Sequence, residues 1–228
     1  MTIVLFDIDG TLVRTGGAGV RAMSRAFEDV FGIAGAFEGI PMAGRTDRGL
    51  LEDAAARAGL DPSGEFFRSF RARYCERLLE ALPEPSHDKS VLPGVRPLLD
   101  ALARRLDVFL ALLTGNCEQG AKLKLEYFDL WRYFSCGAFG DDLNNRNDLF
   151  AVAMRRALEC GAPEVPPRNV MVVGDTELDV ACAAAAGARS VAVATGPADS
   201  AALRRCGADA VFEDLSDTDA FLQLLARV

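Results

Sequence analysis

The 228-residue chain is poor in the features that announce a macromolecular partner or a soft-metal centre. It has no long basic run, no C-x-x-C pair, a single histidine, and no apolar stretch approaching the ~18 residues of a membrane span. A formal net charge of −8 excludes nucleic-acid and anionic-membrane binding as a main task. Any anionic ligand must be drawn in locally, by metal, Arg or Lys side chains and backbone amides. The cysteines Cys75, Cys117, Cys136, Cys160, Cys182 and Cys206 are scattered through apolar or helical patterns. That predicts buried, reduced thiols, as in a cytoplasmic protein, and neither zinc nor redox chemistry. Ile3–Phe6 is too short for a signal peptide and runs straight into Asp7. His87 sits in the polar stretch Pro83–Asp88 and reads as solvated. No internal repeat is present, and Ala181–Ala186 is ordinary alanine-rich helix.

What is present starts at residue 2. Half of the chain is apolar and 25% is charged, enough for a packed core. Ile3–Phe6 reads as a fully buried strand, ended by Asp7-Ile8-Asp9-Gly10-Thr11. Residues two apart in an extended chain point the same way, so Asp7 and Asp9 can face one site beyond the strand's carboxyl end. Two carboxylates that close together need a cation or a shared proton. A hard, oxygen-preferring ion such as Mg²⁺ is the natural partner. Read alone, the same residues also suit a simple Asx/Gly turn.

Residues 15–90 read as helical. Apolar positions share one face over Val20–Phe31, then over Thr46 or Asp47 to Ala58, then over about Gly64–Leu82. Gly17-x-Gly19-x-x-Ala22 formally matches a dinucleotide fingerprint, but the preceding strand ends at Phe6, so a glycine hinge is the better reading. From Pro93 onward helices alternate with buried strands: Asp107–Leu113, Phe134–Phe139, Val170–Val173, Ser190–Ala194 and Ala210–Phe212. This predicts an α/β fold, a Rossmann-like parallel sheet with helices on both faces. The expected division is a core of residues 1–14 and 91–228, with residues 15–90 inserted after the first strand as a mobile helical cap.

Two later strands also end in chemistry-bearing turns. Val108–Leu113 runs into Thr114-Gly115-Asn116, where a hydroxyl and free backbone amides at a helix start suit an anion or a plain N-cap. Val170–Val173 runs into Gly174-Asp175-Thr176-Glu177-Leu178-Asp179. Thr176 and Glu177 read as a helix start.

D-x-D-G-T-L, a strand-end threonine and G-D-x-x-x-D, in that order, resemble motifs I, II and IV of the haloacid dehalogenase superfamily along the whole chain. The resemblance implies that Asp7 is the nucleophile, Asp9 the general acid/base, and Thr114 a holder of phosphoryl oxygens. It implies a Mg²⁺ site from Asp7, the Asp9 backbone carbonyl and Asp175, with Asp179 orienting a metal water or a cation. Gly10, Thr11, Gly115 and Asn116 fall where the substrate's phosphate is bound. The usual K-P-x-P form of motif III is missing. Arg146, in Gly140–Asp148, is the expected substitute because guanidinium matches phosphate bidentately. Lys122 and Lys124 read as solvated helix charges. In the family's helical caps the loop corresponding to Met42–Arg48 sets specificity, which makes Arg45 the expected substrate contact, with an exposed helix start as the alternative.

Dehalogenating members lack an acid at the Asp9 position, so Asp9 implies phosphoryl transfer from an oxygen ester. The expected enzyme is a Mg²⁺-dependent, phosphoglycolate-phosphatase-like hydrolase of a small phosphorylated metabolite, monomeric or homodimeric. Its alternatives are a phosphomutase of the β-phosphoglucomutase type and a non-catalytic binding protein on the same fold.

Overall fold

The computed structural model describes residues 1–141 and 143–226; Asp142, in the acidic stretch before Arg146, lies outside the described residues. The elements are β1 (Thr2–Phe6), β2 (Val13–Thr15), α1 (Ala18–Phe31), α2 (Asp47–Ala58), α3 (Gly64–Ala81), β3 (Lys89–Val91), α4 (Val95–Ala103) and β4 (Val108–Leu113). There follow α5 (Glu118–Tyr127), β5 (Gly137–Ala138), α6 (Arg146–Glu159), β6 (Val170–Gly174), α7 (Glu177–Ala186), β7 (Arg189–Val193), α8 (Ser200–Arg205), β8 (Ala210–Phe212) and α9 (Thr218–Leu225).

Six strands form one parallel sheet in the order β5-β4-β1-β6-β7-β8. The five residues of β1 are all buried because alternate side chains feed different cores. Val4 and Phe6 pack with Leu98, Leu102, Leu125 and Phe221 from α4, α5 and α9. Ile3 and Leu5 pack with Leu149, Ala153 and Ala183 from α6 and α7. The sheet is therefore covered on both faces, which is why its central strands lack the apolar/polar alternation of half-exposed ones. β1 lies between β4 and β6, with Phe6 level with Leu112 on one side and Val173 on the other. The loops leaving these three strands consequently meet at one edge, the crevice where open parallel sheets bind ligands.

Helices α1–α3 build a third core of their own, centred on Phe27, whose ring packs against Phe31, Phe37, Phe66 and Phe70. Asp29 on α1 clips this bundle to α3: Arg73 Nε lies 2.8 Å and Arg77 Nε 2.6 Å from Asp29 Oδ2. Hydrogen bonds from Arg77 and Arg73 hold the Asp29 carboxyl down at about 2, against its ordinary 3.8. A depressed acid contributes stability that is complete above its unfolded value and is lost as pH falls through its folded one. The melting temperature of the wild type should therefore exceed that of Asp29→Asn at pH 5, and the gap should close as pH falls from about 4 towards 2. Parallel thermal melts of the two proteins check this.

Several details differ from the sequence reading. β2 and β3 form a two-stranded antiparallel ribbon, Val13 opposite Val91 and Thr15 opposite Lys89, at the two points where the chain enters and leaves the helical bundle. A strand thus does precede Gly16 and Gly17. It is antiparallel and short, not the parallel strand of a dinucleotide unit, and both glycines adopt the positive φ of a turn. The expected strand Phe134–Phe139 shrinks to Gly137–Ala138, because a 3-10 turn at Trp131–Tyr133 instead delivers Phe134 into the core beside Phe6. All six cysteines are free, but Cys160 and Cys206, the caps of α6 and α8, are exposed. No helix among the described residues is long and apolar enough to cross a membrane.

Candidate active site

Asp7 continues β1 by one residue, its amide donating to Val173 O at 2.9 Å, so its side chain emerges where β1, β4 and β6 end together. The chain must then turn sharply. Gly10 takes φ 79°, and a Cβ there would stand 2.3 Å from Asp175 Oδ2; only glycine satisfies both conditions. Thr11 Oγ1 donates to Asp175 Oδ1 at 2.9 Å, and Thr195 Oγ1 to Gly10 O at 2.5 Å. The motif I turn and Asp175 are thereby locked together.

Arg146, the first residue of α6, is buried. Its Nη2 lies 3.1 Å from Asp7 Oδ2 and also binds Asp179 Oδ1, while Nη1 donates to Gly44 O at 3.1 Å. Asp179 Oδ2 accepts from Thr176 N at 3.0 Å and Thr176 Oγ1 at 2.6 Å, the capping box of α7. Thr114 is fully buried and hydrogen-bonds Asp7; its Oγ1 also accepts from Asn116 Nδ2 at 2.8 Å. Asp7, Thr114, Arg146 and Asp179 thus meet at one point of the structure.

The electrostatics are short of positive charge. One oxygen from each of Asp7, Asp175 and Asp179 lies within 4.8 Å of the others, with Arg146 as the cation among them. Burial raises Asp7 to about 6, with Arg146 pulling it down and Asp179 pushing it up. Burial, then Asp7 and Asp179, raise Asp175 to about 8. Such a buried all-oxygen set could hold a hard cation, and otherwise carries protons. Both Asp179 oxygens already serve Arg146 and the α7 cap, so Asp7 and Asp175 are the carboxylates with capacity left for an ion.

Asp9 points elsewhere. Its Oδ2 takes Lys124 Nζ at 2.6 Å and Asn116 Nδ2 at 2.9 Å, and its side chain remains 43% exposed. Lys124 is thus no solvated helix charge; it is buried at 4% exposure, whereas Lys122 stands in an exposed pair with Glu126. The sequence does carry a signal: Lys124 shares the face of α5 with buried Ala121 and Leu125. Asp47 is the other residue that sequence reasoning missed. At the first position of α2 it looks like an ordinary helix-start acid, yet it is buried, its Oδ2 accepts from Cys117 N at 2.8 Å, and burial raises it to about 6, against the pull of Lys124.

The Met42–Arg48 loop sits directly on the core. Asp47 N donates to Gly115 O at 2.7 Å and Arg48 N to Gly140 O at 3.1 Å; a Cβ on Gly115 would meet Arg45 O at 1.9 Å. Between loop and carboxylates lies a cavity of about 370 Å³ lined by Asp7, Asp9, Arg45, Asp47, Lys124 and Arg146, among others. Arg45 borders it, with Nη1 paired to Asp53 Oδ2 at 2.7 Å. His87 is exposed in its linker, as expected.

Residues 4–193 match the family model described as haloacid dehalogenase-like hydrolase. A phosphoglycolate phosphatase from Chromobacterium violaceum is 29% identical, the match covering 94% of this chain and 93% of that protein. One from Rhodospirillum rubrum is 31% identical over 93% of this chain and 87% of its own length. Among solved structures, a hydrolase from Pseudomonas syringae superposes with a TM-score of 0.67 at 26% identity, covering 98% of each chain. With the family model spanning most of its length, the parallel sheet behind it and the Asp7, Thr114 and Asp175 turns meeting at one edge, this chain belongs to the haloacid dehalogenase-like hydrolases.

Proposed function

We propose that this hydrolase cleaves small phosphate monoesters through a phosphorylated Asp7. The observation that carries the reading is the placement of Asp7: a buried carboxylate at the switch point of the sheet, 3.1 Å from Arg146, hydrogen-bonded to Thr114 and opening on a cavity of about 370 Å³.

An Asp7 oxygen attacks phosphorus while the ester P–O bond opposite it breaks. Arg146, the Thr114 hydroxyl and the backbone amides around Gly10 and Gly115 hold the phosphoryl oxygens and offset the charge spread over them. Asp9 delivers a proton to the departing alkoxide, then takes one from the water that attacks the aspartyl-phosphate. Phosphate leaves and Asp7 is regenerated. Mg²⁺, held by Asp7 and Asp175 with the Asp9 carbonyl and with Asp179 steadying Arg146, would supply the remaining positive charge for a dianionic substrate. The phosphoglycolate phosphatases among its relatives suggest a small acid phosphate as substrate. Arg45 at the cavity wall is the residue we assign to contact its non-phosphate end.

The test is phosphate release from a panel of monoesters in Mg²⁺ and in EDTA. We expect turnover in Mg²⁺ and a loss of about 10²-fold or more in EDTA. Turnover insensitive to EDTA removes the metal from the reading. Activity that requires added sugar bisphosphate and yields an isomerised phosphate identifies a mutase instead. An inert protein across the panel overturns catalysis.

A further inference from the structure

Lys124 is a buried charge that the proposed reaction does not yet use. It lies on the buried face of α5, beyond Thr114-Gly115-Asn116, and the residue is only 4% exposed. A buried lysine survives only where partners replace its water. Here Nζ lies 2.6 Å from Asp9 Oδ2 and 2.6 Å from Asn116 Oδ1. Asn116 Nδ2 in turn reaches Asp9 Oδ2 at 2.9 Å and Thr114 Oγ1 at 2.8 Å. One closed network therefore joins the β4 turn to the Asp9 carboxylate.

Room for this arrangement is reserved on two sides. A Cβ on Gly19, in the first turn of α1, would stand 3.1 Å from Lys124 Nζ; a Cβ on Gly120 would crowd the Tyr74 ring at 3.0 Å. Burial opposes the Lys124 charge, but Asp9 and Asp47 together outweigh it, so the ammonium persists. Both donors fall on Oδ2, and among the described residues no hydrogen bond is made to Oδ1. Apart from these two contacts the Asp9 side chain is 43% exposed and lines the cavity.

We propose that Lys124 is a positioning residue: with Asn116 it clamps Oδ2 and so presents Oδ1 of Asp9 to the leaving oxygen of the substrate. The proposal rests on the phosphatase reading above and extends it to a residue outside the motifs. Its consequence is specific to the leaving group. An alkyl alkoxide must receive a proton as the P–O bond breaks, whereas p-nitrophenolate departs without one. kcat/KM covers only the steps up to release of the alcohol, so it isolates this event from hydrolysis of the aspartyl-phosphate.

The experiment compares kcat/KM for glycerol phosphate and p-nitrophenyl phosphate in wild type, Lys124→Met and Lys124→Gln. In both variants the loss on the alkyl ester should exceed the loss on the aryl ester by about 10²-fold. On the alkyl ester, adding Lys124→Met to Asp9→Asn should cost no more than about threefold further, because the clamp then has nothing to place. Equal losses on the two esters, no loss on either, or a full additional loss in the Asp9→Asn background would overturn the proposal. Thermal melts identify a variant that fails to fold, and Asn116→Ala, which removes the other donor to Oδ2, then carries the same comparison. A wild type that hydrolyses neither ester fails at the phosphatase reading itself, which separates that outcome from a failure of the clamp.

Discussion

Asp7→Asn should abolish phosphate release, by about 10⁴-fold or more, because the amide cannot form the acyl phosphate. It should also remove any phosphoryl group trapped on the protein by acid quench, as read by intact mass. Thermal melts separate lost chemistry from lost fold, because the expected stability effect has the opposite sign. Burial raises the Asp7 carboxyl to about 6, despite the neighbouring Arg146. A carboxyl raised on folding contributes stability below its unfolded value and loses it as pH rises through about 6, so at pH 8 the metal-free wild type carries a strained charge. The uncharged amide of the variant escapes it. Without metal at pH 8, Asp7→Asn should melt at or above the wild type, by an amount on the order of 1–3 kcal/mol. If Mg²⁺ binds as proposed, the order should reverse, since the wild type would gain from binding and the variant would lack the Asp7 carboxylate. An Asp7→Asn protein that retains turnover removes Asp7 as nucleophile.

How legible the site is depends on what each residue's neighbours in sequence disclose. β1, β4 and β6 are unbroken apolar runs that stop at a carboxylate or hydroxyl with a glycine within three residues. Such runs mark strands buried on both faces, and their ends mark the ligand edge of a parallel sheet. Asp7, Thr114 and Asp175 can therefore be placed from sequence alone. Arg146 follows an irregular stretch, Gly140–Asn145, and only its position relative to α6 singles it out. The β2–β3 ribbon is not legible: Arg14, Lys89 and Ser90 give three-residue strands no apolar signature, and the pairing joins positions more than seventy residues apart. Asp47, and Lys124 unless its place beside Ala121 and Leu125 on α5 is weighed, escape a sequence reading for one shared reason. A charge on a helix looks solvated until the partner surface is known, and here the partner is the junction between α1–α3 and the sheet.

Arg146→Met should lower both stability and activity, and the two losses should separate with pH. Nη2 of Arg146 serves Asp7, Asp179 and Leu113 O at once, and Nη1 holds Gly44 O of the Met42–Arg48 loop. Methionine fills similar volume but leaves buried carboxylates without their cation, a situation that costs about 3–5 kcal/mol in comparable sites. The penalty belongs to the charged forms, so the melting temperature should fall most at pH 8 and recover towards pH 5 as Asp7 and Asp175, already raised to about 6 and about 8, take up protons. Mg²⁺ should restore part of the stability by replacing the missing charge, yet not the turnover. In the proposed reaction the guanidinium also steadies the transferring phosphoryl group, and its removal should then cost about 10²–10³-fold in kcat/KM. Arg146→Lys separates charge from geometry. An ammonium can serve Asp7 and Asp179 but cannot also span to Gly44 O, and Arg146 Nε, buried without a hydrogen-bond partner among the described residues, is no loss. Lysine should thus recover most of the melting temperature and only part of kcat/KM, the shortfall measuring what the second arm of the guanidinium contributes by seating the loop. If lysine restores neither, Arg146 acts through shape instead of charge, and its assignment as the cation facing the phosphoryl group fails.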